Sequence, residues 1–183
     1  NNMKTKLNQS KLKGAIASAM LIATGVLSAP AYATTAGATM SVTASIGTAC
    51  TVSTQDIAFG EYKPTTDHAS TDLTAQGRIT HTCTVGTTGK VIIGQGNNAG
   101  DGSSDATPLR FMAASGVDTK LRYDVFSNEG RTASWKNVVD SGVALPTSTG
   151  VAQNMPVYGK IAAGQTNIAA GAYSDVLAVT VDY

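Results

Sequence analysis

Residues Thr34–Ile46 read T-T-A-G-A-T-M-S-V-T-A-S-I. From Ala36 onward every second position is apolar or small: Ala36, Ala38, Met40, Val42, Ala44 and Ile46. Between them stand Thr35, Thr39, Ser41, Thr43 and Ser45, with Gly37 the single gap in the hydroxyl series. Period-two alternation predicts a strand with one face to bury. Such a strand needs a partner, because an unpaired edge recruits one. The stretch therefore predicts an all-β protein and leaves open whether the partner sheet is its own or another copy's.

The residues before it read as a leader. Lys4, Lys6, Lys11 and Lys13 precede an apolar run from Ala15 to Leu27. That run is shorter than the ~20 residues of a membrane span. Ala31-Tyr32-Ala33 then fits a small-x-small cleavage site. Residues 1–33 are expected to be a removed secretory signal, with no membrane insertion of the mature chain. The mature chain would then be the 150 residues Thr34–Tyr183, enough for one domain with a real core. Its nine basic residues stand against 12 acidic ones, a net charge of −3 with no basic run. Nucleic-acid binding has no electrostatic footprint in such a chain. Charged residues make up 14% of the sequence, against roughly a quarter in ordinary soluble proteins. Thr, Ser, Ala and Gly replace them, as suits an extracellular β-protein packing against copies of itself.

The two cysteines, Cys50 and Cys83, both lie in the exported part. In an oxidising compartment they read as one structural disulfide. A redox or metal pair would call for C-x-x-C spacing or nearby histidines.

Downstream, strands are expected at Cys50–Ser53, around Ile57–Phe59, at Arg78–Val85, Lys90–Ile93, Leu109–Met112, Leu121–Phe126, Met155–Ile161 and Tyr173–Tyr183. On the second alternating run Ile79, His81, Cys83 and Val85 share a side. Pro156 predicts an edge or a strand end. Asn97–Pro108 and Asp140–Gly150 read as loops, and Trp135 as a core indole. Short strands between turn signals predict an antiparallel sandwich or barrel.

Catalytic chemistry has little to work with. The histidines are His68 and His81, and no G-x-S-x-G or H-E-x-x-H frame is present. N-N-A-G-D-G-S-S-D at 97–105 lacks calcium-loop spacing. We expect no enzyme, no cofactor and no metal site. A sugar-binding module, with Trp135, Tyr62 and the 97–105 loop as its contacts, is the alternative from another class.

Further motifs carry a resemblance: C-T-V at Cys50–Val52, F-G-E-Y at Phe59–Tyr62, I-T-H-T-C-T at Ile79–Thr84, and L-R-Y-D-V-F-S-N-E-G-R-T-A-S-W at Leu121–Trp135. The tail adds M-P-V-Y-G-K-I-A-A-G-Q at Met155–Gln165 and G-A-Y-S-D-V-L-A-V-T-V-D-Y at Gly171–Tyr183. Together they resemble the spore coat protein U domain family, and within it the major subunits of archaic chaperone–usher pili of the Csu type. His81 departs from the pattern, which usually has an aliphatic residue there.

The resemblance implies an incomplete immunoglobulin-like sandwich, residues 47–183, completed by a donor strand from a neighbouring subunit. It implies a periplasmic chaperone and an outer-membrane usher as partners, besides identical subunits joined head to tail. It places the product on the surface of a Gram-negative bacterium, as a pilus for adhesion and biofilm formation. The residues fit that scheme. Thr34–Ile46 would be the donor, spanning roughly 43 Å at about 3.3 Å per residue. Leu177, Val179, Val181 and Tyr183 on the last strand would line the acceptor groove. Gly47 and the disulfide at Cys50 leave little slack for the chain to fill its own groove. A self-associating outer coat or matrix protein of the same fold is a further alternative.

Overall fold

The computed structural model describes residues 34–183, so the signal-peptide expectation for 1–33 lies outside the described residues. Ala44–Tyr183 forms one compact unit. Its strands are β1 (Cys50–Gln55), β2 (Leu73–Cys83), β3 (Lys90–Ile93), β4 (Arg110–Met112), β5 (Leu121–Phe126), β6 (Val143–Ala144), β7 (Gln153–Ile161) and β8 (Val179–Asp182). They make two antiparallel sheets, one ordered β1-β2-β7-β5-β4 and the other β6-β3-β8. Among the described residues no helix is long and apolar enough to cross a membrane.

Alternation explains which side chains enter the core. Ile79, His81 and Cys83 from β2 point inward with Met155, Val157 and Ile161 from β7. Leu121, Tyr123 and Val125 come from β5, and Val91 and Ile93 from β3. Trp135 is 1% exposed, and its indole N–H donates to the Val91 carbonyl at 2.9 Å. The one tryptophan thus ties the larger sheet's flank to β3, as a buried indole with a polar handle does.

Cys50 is bonded to Cys83. The two face each other in the β1–β2 register, so the bond closes the loop carrying residues 51–82. Such a loop contributes about 4 kcal/mol in the chain-entropy account.

Several sequence expectations need correction. β2 starts at Leu73, five residues before the expected Arg78, and ends at Cys83. Val85 therefore leaves the core side and is 72% exposed, in a turn completed by Gly86 at φ +82°. Ile57–Phe59 forms no strand, and Asp140–Gly150 carries β6 after a short 3-10 turn at Val139–Ser141. Pro156 sits within β7, in the middle of the larger sheet. β5 pairs only with Tyr158–Lys160, so at Pro156 one side of β7 has no ladder, and the missing N–H costs nothing there. The last strand is shorter than expected. Ser174 exchanges both backbone bonds with Ala113, and only then does the chain turn onto β3.

Thr34–Ala49 has no secondary structure, and each of its residues is exposed. The expected strand at Thr34–Ile46 is thus a set of alternating side chains without a ladder. Met40, Val42 and Ile46 are each 88% exposed.

His81 sits 1% exposed where a hydrocarbon side chain would pack. Its Nδ1 lies 4.0 Å from Cys83 Sγ, and its Nε2 has no partner among the described residues. Burial lowers its pKa below the ordinary 6.5, because the charged ring would lose its hydration. The unfolded chain then binds the proton more readily than the folded one. Stability is full above pH 6.5 and declines as pH falls through that value toward the lower folded pKa. The expected result is a urea midpoint lower at pH 5 than at pH 7.5, with the difference shrunk in His81→Leu. An equal pH difference in that variant would assign the effect to other groups.

Candidate functional site: an open apolar groove

Of the four outer strands of the two sheets, β1 and β8 flank the groove. β1 pairs only with β2, and β8 only with β3. Backbone bonds from Gly94 to Ala178 and from Asn97 to Val176 continue the β3 side of that pairing to Val176, leaving the whole segment Val176–Asp182 free on its other side. Between these edges lies a cavity of about 490 Å³. Its floor is apolar, made of Ile79, Ile93, Tyr123 and Val157. One wall carries Ile57 and Phe59, the other Tyr173, Leu177 and Val179.

The first wall stands where it does because two glycines make room. A methyl on Gly77 would lie 2.7 Å from Ile57 Cγ1. One on Gly159 would lie 2.7 Å from both Ile57 Cγ2 and Phe59 Cζ. Ile57 and Phe59, in a segment with no strand of its own, are thus seated against β2 and β7 by close approach. The Phe59 ring meets Tyr123 edge-on, with centroids 6.3 Å apart.

The opposite wall is held by Asp175. Its carboxylate accepts from the Tyr123 hydroxyl at 2.6 Å, from the backbone N–H of Asn97 and Asn98, and from Asn98 Nδ2. Burial first, and then this hydrogen bond, raise the Tyr123 pKa far above its ordinary value. The phenol stays a donor, and the groove floor is anchored to the segment leading into β8. Arg110, fully buried, reaches behind the floor. Its Nε donates to the Gly94 carbonyl, and its Nη2 to those of Ile93 and Trp135.

Of the residues expected at the acceptor groove, Leu177 and Val179 line the cavity. Val181 is half-buried on the same face, packed against the core cluster. Tyr183 lies beyond β8 and is 56% exposed. The floor and the Ile57–Phe59 wall went unrecognised in the sequence. Their signal was faint: a Gly at 77 and another at 159 on otherwise alternating strands.

Residues proposed for a sugar site are otherwise engaged. Trp135 is internal, and the Tyr62 hydroxyl donates to the Ala162 carbonyl while accepting from the Gln165 N–H. In the 97–105 loop, the Asp105 carboxylate accepts from Gln95 and Asn137 side chains. Those two bonds hold its pKa below the ordinary carboxylate value. No three His, Cys, Asp or Glu side chains among the described residues group as metal ligands.

The described residues thus form an all-β sandwich with an apolar groove flanked by the edges of β1 and β8. Residues 36–180 match the model of the Spore Coat Protein U domain family, and the chain belongs to that family. It is similar to Protein U of Myxococcus xanthus, 32% identical over 179 residues that cover 94% of this chain and 98% of that one. In fold it is similar to a chain of the CsuC–CsuE chaperone–tip adhesion subunit pre-assembly complex from archaic chaperone–usher Csu pili of Acinetobacter baumannii. That match has a TM-score of 0.53 at 23% identity and covers 75% of this chain and 40% of that one. The fold is thus immunoglobulin-like, and this chain spans about two fifths of the solved one.

Proposed function

We propose that the protein is a structural subunit of a surface fibre, polymerising head to tail by donor-strand complementation. Thr34–Ile46 of one copy lies in the groove between β1 and β8 of the next, with Met40, Val42, Ala44 and Ile46 as its main plugs. The observation carrying this reading is the open groove itself. An apolar floor between two unpaired edges demands a strand, and the same chain carries an exposed alternating segment that supplies one. Supply and demand on different surfaces give a heterologous contact, which extends into a filament unless the rotation closes. Family membership and the likeness in fold to a pilus assembly complex support the remaining parts: export through the periplasm of a Gram-negative cell, a chaperone that fills the groove beforehand, an usher at the outer membrane, and a role in adhesion and biofilm formation.

Each large plug buried should contribute ~1.5–3 kcal/mol. Met40→Asp or Val42→Asp is therefore expected to block assembly, scored as loss of SDS-resistant oligomers, while Ser41→Asp leaves most of it. Equal damage at the three positions would make the alternation incidental. A second reading, a self-associating coat or matrix, draws on the nearly full-length match to Protein U. Assembly of purified mature chain in the absence of any chaperone would favour it.

A further inference from the structure

The end of the sandwich from which the arm departs is built unlike the opposite end. Thr84 holds the arm's root: its backbone N–H donates to the Ala49 carbonyl at 2.9 Å, and its Oγ1 accepts from the Ala49 N–H and donates to the Gly47 carbonyl. Beside it Val85, in a turn, is 72% exposed, and Val151 on the neighbouring loop is 64% exposed. The two loops touch. Gly86 N–H donates to the Ser148 carbonyl, and a methyl on Gly150 would lie 2.9 Å from Val85 Cγ2. Gly150 is held at φ +82°, so glycine is required there on two counts.

Turn positions of this kind ordinarily take small polar residues, and nothing in the core asks for a valine at 85 or 151. Charge at this end is confined to Lys90 and Asp182, which face each other where β3 begins and β8 ends. No Asp, Glu, Lys or Arg occurs in residues 44–55, 84–89 or 147–153. The loops at the other end, by contrast, carry Glu61, Lys63, Asp67, Asp72, Asp118 and Lys120. Depletion of charge around exposed apolar side chains is a feature of an interface centre.

We infer that the Val85–Gly150–Val151 surface docks on the rim of the groove in the copy that receives this chain's arm. The inference rests on the donor-strand reading, and chain length supplies the occupant. Only Gly47, Thr48 and Ala49 separate Ile46 from Cys50, a reach of about 10 Å at ~3.3 Å per residue. With Gly47 and Ala49 already fixed to Thr84, a receiving subunit that seats Ile46 must bring its rim against Val85 and Val151. The contact sets the angle between successive subunits, while the inserted strand sets their attachment.

The test compares wild-type fibres with those of the double variant V85D/V151D. Expected is an unchanged yield of SDS-resistant polymer, with the fixed subunit-to-subunit angle seen by electron microscopy replaced by a broad distribution. Polymer with the wild-type angle distribution would overturn the docking surface and leave donor-strand assembly standing. Loss of polymer in V85D/V151D would overturn it too, by showing that this end governs attachment. Failure of the wild-type chain, expressed together with a periplasmic chaperone and an outer-membrane usher, to form SDS-resistant polymer would instead remove the donor-strand reading itself. Thermal melts of the monomeric variants serve as the folding control, since both side chains are exposed.

Discussion

A subunit lacking Thr34–Ile46 is expected to fold, to remain monomeric and to yield no fibres. Folding survives because the core contains none of those residues: the buried cluster runs from Ile79 to Ile161. Assembly fails because Met40, Val42 and Ile46 are lost together, roughly 5–9 kcal/mol of apolar burial at ~1.5–3 kcal/mol each. At about 1.4 kcal/mol per tenfold, that weakens the joint on the order of 10³–10⁶-fold before any ladder bond is considered. The truncated subunit offers a second measurement. A synthetic peptide of residues 34–46 should enter its free groove and raise its melting temperature, by an amount that grows with peptide concentration. A peptide with Met40 and Val42 changed to Asp should not. Normal fibres from the truncated chain would sink the assignment of the donor.

Replacing Arg110 should be the most damaging single change inside the folded unit. Its guanidinium is fully buried and serves three backbone carbonyls, those of Gly94, Ile93 and Trp135, at 2.8–2.9 Å. Desolvation lowers its pKa, and the Asp124 and Asp175 carboxylates supply the compensating field. Arg110→Ala leaves three buried acceptors unpaired and a void, at a cost of ~3–5 kcal/mol. In a chain this size that is a fall of about 10 °C or more. Arg110→Lys recovers little, because a single ammonium cannot reproduce the planar fork. The measurement is a chemical denaturation curve, with the slope checked for two-state behaviour. A Lys variant as stable as wild type would mean that the fork geometry is unimportant. Ile93 belongs to the groove floor, so the same substitution should also weaken capture of the 34–46 peptide.

Arg110 also marks where reading the sequence stopped. An arginine at the start of a short strand looks like a solvated residue, and its burial depends on β3 and Trp135 arriving from elsewhere in the chain. Strong alternation was legible: Leu121–Phe126 became β5, and Trp135 went to the core. Weak alternation was not. Leu73-Thr74-Ala75-Gln76-Gly77 extends β2 by five residues, yet after Leu73 its inward side carries only Ala75 and Gly77, which give almost no hydrophobic signal. Val85 was misplaced because the period continued in the sequence past the point where Gly86 turned the backbone. The groove was half visible. Leu177 and Val179 were expected at its wall from periodicity in one segment, whereas Ile57, Phe59 and Tyr123 meet there only through tertiary packing.

The disulfide gains a mechanical meaning once subunits are joined as proposed. Tension along a fibre would enter each subunit through its N-terminal arm and leave through the strand gripped between β1 and β8. The entry point is the arm root at Gly47–Ala49, and the next residue is Cys50. Without a crosslink, load would enter β1 at its first residue and peel it from β2 one hydrogen bond at a time. With Cys50 bonded to Cys83, the pull passes covalently into β2, whose ladder to β7 runs from Leu73 to His81. Those bonds must then yield in shear rather than in sequence. The crosslink sits at the first residue of the body to feel the force, where it turns an unzipping geometry into a load-sharing one.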